Sequence, residues 1–418
     1  MRLKIFAAVL LMAPLYSAAA ILPETKPERV GLSSERLRRI HETMQRHIDE
    51  RDIAGAVTLV MRKGQLAHFE AHGLMDVESK KPMAKNAIFR IWSMSKPVAG
   101  TAILMLMEEG KVRLNDPVSK FIPEFKGMKV AVAQPRPAGL AADAPTPFYT
   151  VPALREINVQ DLLTHVSGLA SGPVSNGEAA KIPKAYAGTI GDVTPKLGAT
   201  PLEFQPGSRW SYSPGAAFDT LGRIVEVASG MSFDKFLKQR LFDPLGMKET
   251  SFHPAADQRP RIVTTYHRAD GAMTRLDAKS RMLTLYGGEY SSGAGGLYST
   301  IEDYALFAQM LLNGGQWNGE RLLSPKSVEL MSSIFVPDTL PGRTPGKAFG
   351  LSVQVISDPV AAGWQVSKGS YGWDGAFGTH FWIDPKEKIV GIMLIQTDNP
   401  NRQLDRDFEN AVFQAIVE

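Results

Sequence analysis

The sequence predicts an α/β fold in which an antiparallel sheet flanked by helices is joined to a mostly helical insert, with a cleft between the two parts. Two observations lead to this prediction: strand-like patterns occur near both ends of the chain, and helical patterns dominate its middle third. Because the two sets of strands can pair in one sheet, we predict a sheet domain from residues 21–100 and 285–418 and a helical domain from residues 101–284.

The N-terminal third predicts one helix followed by a hairpin. Residues 34–50 place their apolar side chains on one face of a helix. Residues 55–61 and 65–73 are strand-like, and the short polar link that ends in Gly64 suits a hairpin turn.

The middle third predicts helices separated by irregular segments. Helical patterns occupy residues 98–109, 159–164 and 218–228. Residues 131–147 combine prolines with alanines and glycines, which fits neither a helix nor a strand, so we predict a loop insertion. A surface loop and the rim of a pocket both remain open for this segment.

The last third predicts strands followed by a C-terminal helix. A capping-box pattern at residues 299–302 begins one helix, which Asn313 and Gly314 end. The C-terminal helix begins near Arg402. The strands are predicted at residues 349–356, 377–383 and 388–396.

The first twenty residues have the pattern of a cleaved signal peptide. Arg2 and Lys4 precede an apolar run at residues 5–15, and small residues follow at 17–20. The apolar run is shorter than the roughly 20 residues that a membrane-spanning helix needs, so we expect no stable membrane anchor. These residues predict a periplasmic or secreted protein.

Composition excludes several classes of function. Of the 418 residues, 44% are hydrophobic, which predicts an ordinary globular protein. Removing the two basic residues of the signal peptide lowers the formal net charge from +4 to +2, so we expect no nucleic-acid or membrane partner. The partner that we expect is a small-molecule substrate. The chain has no cysteine, which excludes a thiol nucleophile, a disulfide framework and a cysteine-ligated zinc.

Ser93 and Lys96 form a Ser-x-x-Lys motif at the start of a predicted helix. Positions i and i+3 share a helix face, so the Lys96 amine can reach the Ser93 hydroxyl and activate this weak nucleophile. Backbone amides at a helix start can also stabilise an oxyanion. The motif recurs at Ser232 and Lys235, where we interpret the serine as a helix N-cap and the lysine as a solvated charge.

Tyr212 is a candidate proton carrier in a turn just before a predicted helix. A tyrosine there can point its hydroxyl into a cleft and shuttle a proton. The alternative interpretation is a structural tyrosine that packs against Trp210.

Residues 371–378 form a glycine-rich segment that contains Trp373, Gly375 and Ala376. Glycines allow the backbone to approach a ligand closely, and the amide of Ala376 is a candidate second oxyanion donor. The alternative interpretation is a β-bulge with a core tryptophan.

Together, the three segments resemble those of family VIII carboxylesterases and, more distantly, of class C β-lactamases and D,D-peptidases. Those proteins carry Ser-x-x-Lys, then Tyr-x-Asn or Tyr-Ser, then Lys-Thr-Gly or Trp-x-Gly, and this chain has all three motifs in that order. Residues 162–169, 243–247 and 295–300 are also similar to segments of these families.

The resemblance implies a β-lactamase/transpeptidase-like fold and a reaction through a serine acyl-enzyme. Ser93 would attack an acyl carbon, and the pair Lys96 and Tyr212 would carry its proton to the leaving group. The amides of Ser93 and Ala376 would form the oxyanion hole, while the loop of Trp373, with Gly375, would bind the substrate.

Two departures from the β-lactamase pattern favour neutral esters of short to medium acyl chains. Pro214 replaces an asparagine and has no side-chain amide, and Trp373 replaces a lysine that pairs with a substrate carboxylate. A β-lactamase or D,D-peptidase remains the alternative, and a non-catalytic receptor for cell-wall fragments is a third. Acyl chain length and enantiopreference depend on how residues 126–156 and 171–200 fold over the cleft.

Other catalytic patterns are poorly matched. The chain has no Gly-x-Ser-x-Gly elbow, metal-binding His-Glu-x-x-His run or nucleotide-binding loop, so we expect no cofactor and no metal in catalysis. His165 lies in a predicted turn and His380 in a predicted strand, and we predict structural roles for both.

Overall fold

A computed structural model describes most of the chain after the predicted signal peptide, which itself lies outside the described residues. No helix within this described part is both long and apolar enough to cross a membrane. The described residues are 22–137, 139, 141, 144–182, 188–269, 271–284, 288–401 and 403–418.

Strands from both ends of the chain pair in one antiparallel sheet of eight strands. The strands are β1 (Gly55–Arg62), β2 (Gln65–Asp76), β3 (Lys81–Pro82), β4 (Phe89–Arg90), β5 (Lys129–Ala133), β6 (Phe148–Pro152), β7 (Tyr266–Ala269), β8 (Ala272–Arg275), β9 (Tyr298–Ser299), β10 (Gln316–Trp317), β11 (Glu320–Arg321), β12 (Lys347–Phe349), β13 (Gln354–Ile356), β14 (Tyr371–Asp374), β15 (His380–Asp384), β16 (Ile389–Leu394) and β17 (Thr397–Asp398). The order of the strands in the eight-stranded sheet is β12-β13-β14-β15-β16-β1-β2-β3.

Helices cover both faces of this sheet and fill the middle of the chain. The α-helices are α1 (Ser34–Asp49), α2 (Ser95–Glu108), α3 (Val159–Leu163), α4 (Pro173–Ala180), α5 (Ile190–Val193), α6 (Ala216–Ser229), α7 (Phe233–Leu237), α8 (Asp243–Leu245), α9 (Arg281–Thr284), α10 (Ile301–Leu312), α11 (Pro325–Met331), α12 (Pro359–Ala362) and α13 (Leu404–Phe413). Short 3-10 turns occupy Pro27–Val30, Trp92–Met94, Val118–Lys120, Pro123–Phe125, Thr194–Ala199 and Arg259–Arg261, and a π-helical turn occupies Lys238–Phe242.

The central strand β1 is buried along its whole length because helices pack on both of its faces. Val57 and Leu59 belong to the main core, toward α10, whereas Ala56 and Val60 belong to a second core under α1 and α13. A strand covered on both sides carries a nearly continuous apolar sequence instead of an alternating one. The pairing of β1 with β16 joins the two ends of the chain, as the sequence predicted.

Helix α2 is buried from Ser95 to Leu106 and packs against α6. The 3-10 turn that precedes α2 in turn contacts β14. The start of α2 therefore lies where the helical part of the chain meets the sheet, which is where the sequence placed the cleft.

The predicted α/β fold with an antiparallel sheet is confirmed, and two predicted strands need correction. Residues 349–356 contain the end of β12, a turn and β13. The Gly350 amide donates to the Val353 carbonyl and closes this turn, in which Ser352 has a φ of 67°. The strand predicted at 377–383 begins only at His380, since a turn precedes it.

Two further predictions concern the middle of the chain. The first three residues of the predicted loop insertion, 131–133, belong to β5, which pairs with β6. One hydrophobic core contains side chains from both predicted domains, and the boundaries at residues 100 and 284 remain predictions.

Candidate active site

Ser93 lies in the sharp turn Trp92–Met94 directly before α2. The turn requires a φ of 46° at Trp92, a left-handed conformation that is strained for a bulky residue and is maintained only by surrounding contacts. The Trp92 ring packs edge-on against Phe377 at 4.9 Å, and the hydroxyl of Tyr304 donates to the Met94 carbonyl at 2.8 Å. The strained turn presents the half-buried Ser93 side chain at the start of the helix.

Lys96 is fully buried one helical turn after Ser93. Its Nζ donates to Ser93 Oγ at 3.0 Å, to the Pro214 carbonyl at 3.0 Å and to the Ala294 carbonyl at 2.8 Å. Three acceptors match the three hydrogens of an ammonium group. The same arrangement suits a neutral amine, since the two carbonyls would take its two hydrogens and leave its lone pair directed at Ser93 Oγ.

Tyr212 completes the cluster from a second segment of the chain. Its Oη lies 2.6 Å from Ser93 Oγ, and its ring stands 4.9 Å from Lys96 Nζ. The Lys96 amine of the first motif and the Tyr212 phenol of the second motif thus both contact the Ser93 hydroxyl.

His165 holds the segment that carries Tyr212 on both sides. Its carbonyl accepts from the Ser211 amide at 3.1 Å, and its Nδ1 accepts from the Ser213 amide at 3.2 Å. Its ring lies 4.7 Å from the Tyr212 ring. Complete burial, reinforced by the positive charges of Lys96 and Arg343, holds the pKa of His165 well below its usual value. The imidazole is therefore neutral, with its hydrogen on Nε2.

The carbonyl of Ala294, which accepts from Lys96, is fixed by a buried network that the sequence did not reveal. Asp219 on α6 accepts from the hydroxyls of Tyr290 and Ser292, at 2.8 and 2.5 Å. Ser292 Oγ in turn accepts from the Ala294 amide at 3.1 Å. Because the functional atom is a backbone carbonyl, it has no side-chain signature; its position just before residues 295–300, one of the segments noted in the sequence, was the available signal.

The glycine-rich segment meets the turn of Ser93 at the end of β14. A Cβ atom at Gly375 would lie only 2.5 Å from the Ile91 carbonyl oxygen, so the close approach requires glycine. Thr379 Oγ1 donates to the same carbonyl at 3.1 Å and holds the two segments together. Ala376 is exposed in the turn that follows. The position is compatible with an oxyanion donor, a role that stays a prediction.

Trp373 contributes to an aromatic wall beside Tyr212. The Trp373 ring lies 5.6 Å from the Tyr212 ring and 5.2 Å from Phe349, and the Trp210 ring lies 5.8 Å from Phe349. Trp210 and Trp373 are only partly buried where they pack on this cluster. Trp210 and Phe349 were not among the predicted site residues, although the sequence placed Trp210 next to Tyr212.

His380 is engaged elsewhere. Its Nδ1 lies 2.5 Å from Asp374 and its Nε2 lies 2.9 Å from Glu409. Burial opposes a positive charge on this ring, but the two carboxylates outweigh burial and hold the pKa of His380 well above its usual value. With both nitrogens occupied, His380 has none left for a reacting group.

Comparison with known protein sequences places the chain among β-lactamase-like proteins. A family model described as Beta-lactamase matches residues 40–416. Protein Rv1367c of Mycobacterium tuberculosis is 34% identical and the match covers 82% of this chain and 86% of that protein. Esterase EstB of Burkholderia gladioli is 28% identical over 86% of this chain and 90% of EstB. A putative D-alanyl-D-alanine carboxypeptidase of Escherichia coli is 25% identical over 90% of this chain and 85% of that protein.

Comparison of structures gives the same fold. The structure of EstCE1, described as a hydrolase with promiscuous acyltransferase activity, matches with a TM-score of 0.75 and 24% identity over 91% of this chain and 99% of that one. The family match spans nearly the whole chain and agrees with the resemblance inferred from the three motifs. The chain therefore belongs to the beta-lactamase family and is a serine hydrolase of the β-lactamase-like superfamily.

Proposed function

We propose that the protein is a carboxylesterase that cleaves esters with short to medium acyl chains through a serine acyl-enzyme. One observation carries the proposal: Ser93 Oγ lies within hydrogen-bonding distance of both Lys96 Nζ and Tyr212 Oη. A serine hydroxyl with two proton-carrying groups in contact is the arrangement that nucleophilic catalysis needs.

In the proposed reaction, Ser93 Oγ attacks the ester carbonyl carbon and forms a tetrahedral intermediate. The hydroxyl proton passes to the pair of Lys96 and Tyr212, which then protonates the leaving alkoxide. The amides of Ser93 and Ala376 would stabilise the oxyanion. Water, activated by the same pair, then cleaves the acyl-enzyme and releases the acid.

The surroundings of the nucleophile favour a neutral, partly apolar substrate. Trp210 and Trp373, which are partly exposed and pack on the buried Phe349, offer apolar surface next to Tyr212. Trp373 takes the place of the lysine that pairs with a carboxylate in β-lactamases. Pro214 supplies only a backbone carbonyl, and Lys96 already occupies it. The similarity to Esterase EstB supports the ester assignment.

A D,D-peptidase or β-lactamase is the second candidate. It is favoured by the similarity to the putative D-alanyl-D-alanine carboxypeptidase of Escherichia coli, which is close in extent to that with EstB. The same nucleophile and proton carriers would serve either reaction, so substrate preference decides between them.

The test compares specificity constants of the purified mature chain for nitrophenyl butyrate, a chromogenic cephalosporin and a peptide ending in D-Ala-D-Ala. We expect kcat/KM to be largest for the ester. Trp373→Lys is the matched variant, because it restores the missing cation and should move the preference toward the carboxylate-bearing substrates. A larger kcat/KM of the unmodified enzyme for the cephalosporin or the peptide would reject the esterase assignment.

Labelling separates both enzymes from a non-catalytic receptor. A fluorophosphonate should modify Ser93, and mass spectrometry of the digested protein locates the adduct. A protein that hydrolyses none of the three substrates and gains no adduct at Ser93 would be a receptor.

We also propose that the protein is exported after cleavage of residues 1–20. Arg2 and Lys4, followed by the apolar run at 5–15, support this location. Periplasmic extraction with N-terminal sequencing tests it. A full-length protein retained in the cytoplasm would contradict it.

A further inference from the structure

Three polar residues alternate along β2 and face helix α1. They are His68, Glu70 and His72, whereas the intervening Phe69 and Ala71 pack on the main core. Side chains two positions apart share a face of a strand, so the three polar groups lie together under α1. In the order of the sheet, β15, β16 and β1 separate β2 from β14 beside the active site.

His41 of α1 completes this cluster. Its Nδ1 lies 2.7 Å from Glu70 Oε1, and His72 Nδ1 lies 3.8 Å from the same oxygen. One ligating atom from each of His41, Glu70 and His72 lies within 4.8 Å of the other two. Two ligands on a tetrahedral zinc ion are about 3.3 Å apart when each bond is about 2.0–2.1 Å long, so small side-chain rotations suffice.

A hydroxyl beneath the cluster fixes the ring of His72. Thr58 Oγ1 on β1 lies 2.9 Å from His72 Nε2 and 2.8 Å from His68 Nε2. The Thr58 hydroxyl has one hydrogen and two lone pairs, so it can donate to at most one of these rings and can accept from either or both. When His72 Nε2 donates to Thr58, the lone pair of His72 is on Nδ1, on the side of Glu70. Metal-binding histidines are held in this way by a partner on the second nitrogen.

The surroundings of His72 Nδ1 indicate that this atom binds a ligand. The residue is 4% exposed, and this nitrogen has no hydrogen-bond partner among the described residues. Its distance of 3.8 Å from Glu70 is too long for a hydrogen bond. A buried polar atom without a partner is unfavourable, and a bound ion removes the penalty.

Two other groups of ligating side chains in the described part of the chain contain no histidine nitrogen without a hydrogen-bond partner. His47 has both nitrogens paired, with Asp52 at 2.7 Å and Asp407 at 3.0 Å. His380 is likewise saturated by Asp374 and a second carboxylate. The histidines of those two groups have no unpaired nitrogen, whereas in the group of His41, Glu70 and His72 the His41 Nδ1 atom is paired with Glu70 and His72 Nδ1 is not paired.

We propose that His41, Glu70 and His72 bind a divalent transition metal of the zinc class. The ligand atoms are His41 Nδ1, Glu70 Oε1 and His72 Nδ1, and the fourth position is open to water or to another small ligand. Two imidazole nitrogens with one carboxylate select zinc-class ions over Mg²⁺ and Ca²⁺, which prefer oxygen ligands. The ion would link α1 to β2, since His41 is on the helix and Glu70 and His72 are on the strand.

The experiment is calorimetric titration of the chelator-treated mature protein with Zn²⁺, together with thermal unfolding at increasing Zn²⁺. We expect one ion per chain and a rise in Tm, with no binding of Mg²⁺. His41→Ala and Glu70→Gln remove partly exposed ligands without opening the core, and each should weaken the Kd at least about tenfold. His72→Asn should do the same if it folds.

His267→Ala is the matched control, because His267 is a partly exposed histidine that is also paired with a carboxylate, at 3.1 Å from Asp398. Its Kd for Zn²⁺ should equal that of the unmodified protein. Absence of saturable binding would overturn the proposal. Unchanged binding in both His41→Ala and Glu70→Gln would also overturn it, since the ion would then bind elsewhere. Neither readout depends on esterase activity, so the proposed function is tested separately.

Discussion

The chain contains the same tetrapeptide pattern twice, each time at the start of a helix, but the surroundings of the two copies differ. Ser93 is half-buried in a strained turn, and Lys96 is fully buried with three acceptors. Ser232 and Lys235 are both exposed at the start of α7, and the Ser232 side chain makes no capping hydrogen bond.

The difference shows that a local motif supplies only the possibility of contact between a serine and a lysine. What distinguishes the first copy comes from distant segments: the carbonyls of Pro214 and Ala294 hold the lysine, and Tyr212 contacts the serine. Lys235 of the second copy is exposed and has no hydrogen bond or ion pair with any described residue, so its amine has no fixed direction. Each copy is therefore the internal control for the other.

The largest expected effect is that of Ser93→Ala. Removal of the nucleophile should lower kcat for nitrophenyl butyrate by at least about 10⁴-fold. Ser232→Ala, assayed alongside, should retain the kcat of the unmodified enzyme. Comparable losses in both variants, or activity retained in Ser93→Ala, would remove the distinction between the two copies.

Lys96→Met is the next largest. It should lower kcat by about 10³-fold because the Ser93 hydroxyl loses one of its two proton carriers. The carbonyls of Pro214 and Ala294 also lose their donor, which costs about 1–3 kcal/mol in the free energy of unfolding. Urea titration measures that loss, and circular dichroism confirms the fold. Lys235→Met should change neither quantity.

Tyr212→Phe should lower kcat by about 10²- to 10³-fold with little effect on stability. The ring keeps its contact with His165 at 4.7 Å, and only the oxygen at 2.6 Å from Ser93 Oγ is lost. Steady-state kinetics with nitrophenyl butyrate tests this. A variant as active as the parent would leave Lys96 as the proton carrier and Tyr212 as a packing residue.

The sequence predicted the parts of the site that have a local or ordered signature. The contact between Ser93 and Lys96 follows from a spacing of three residues on one helical turn. Tyr212 could be assigned only through the order of the three motifs, because nothing local in residues 210–214 separates a cleft tyrosine from a packed one. The Ala294 carbonyl had no signature, since every residue has one.

The fold was predictable where patterns were long and failed where a turn lacked its usual residue. The hairpin of β1 and β2 was predicted because Gly64 ends a polar link between two apolar runs. The turn between β12 and β13 was missed because Ser352, a non-glycine residue, adopts the left-handed conformation there. The alternation of His68, Glu70 and His72 was visible in the sequence, but their proximity to His41 required the packing of α1.

His165→Asn should have a smaller effect, about tenfold on kcat, because His165 positions Tyr212 without contacting Ser93 in the hydrogen-bond network. The asparagine carbonyl can replace Nδ1 as acceptor for the Ser213 amide, whereas His165→Phe removes the acceptor and should lose more activity. Since burial holds the pKa of His165 well below its usual value, the ring stays neutral through the pH range in which an ordinary histidine titrates. The kcat/KM profile should therefore lack a histidine step near about pH 6.5. Such a step, abolished by His165→Asn, would instead identify His165 as a base.

The smallest effect is expected for the stability of Ser232→Ala, and it defines the second copy of the motif most sharply. An N-cap serine whose side chain bonds a backbone amide stabilises its helix by about 1 kcal/mol. Ser232 is at that position but makes no such bond, and Phe236 and Phe233 of α7 are buried whatever residue precedes them. The loss in the free energy of unfolding should thus stay below about 0.5 kcal/mol. Urea titration against Ser33→Ala, whose hydroxyl accepts from the Arg36 amide at 3.2 Å, provides the scale. A loss as large as that of Ser33→Ala would mean that Ser232 caps α7 in solution.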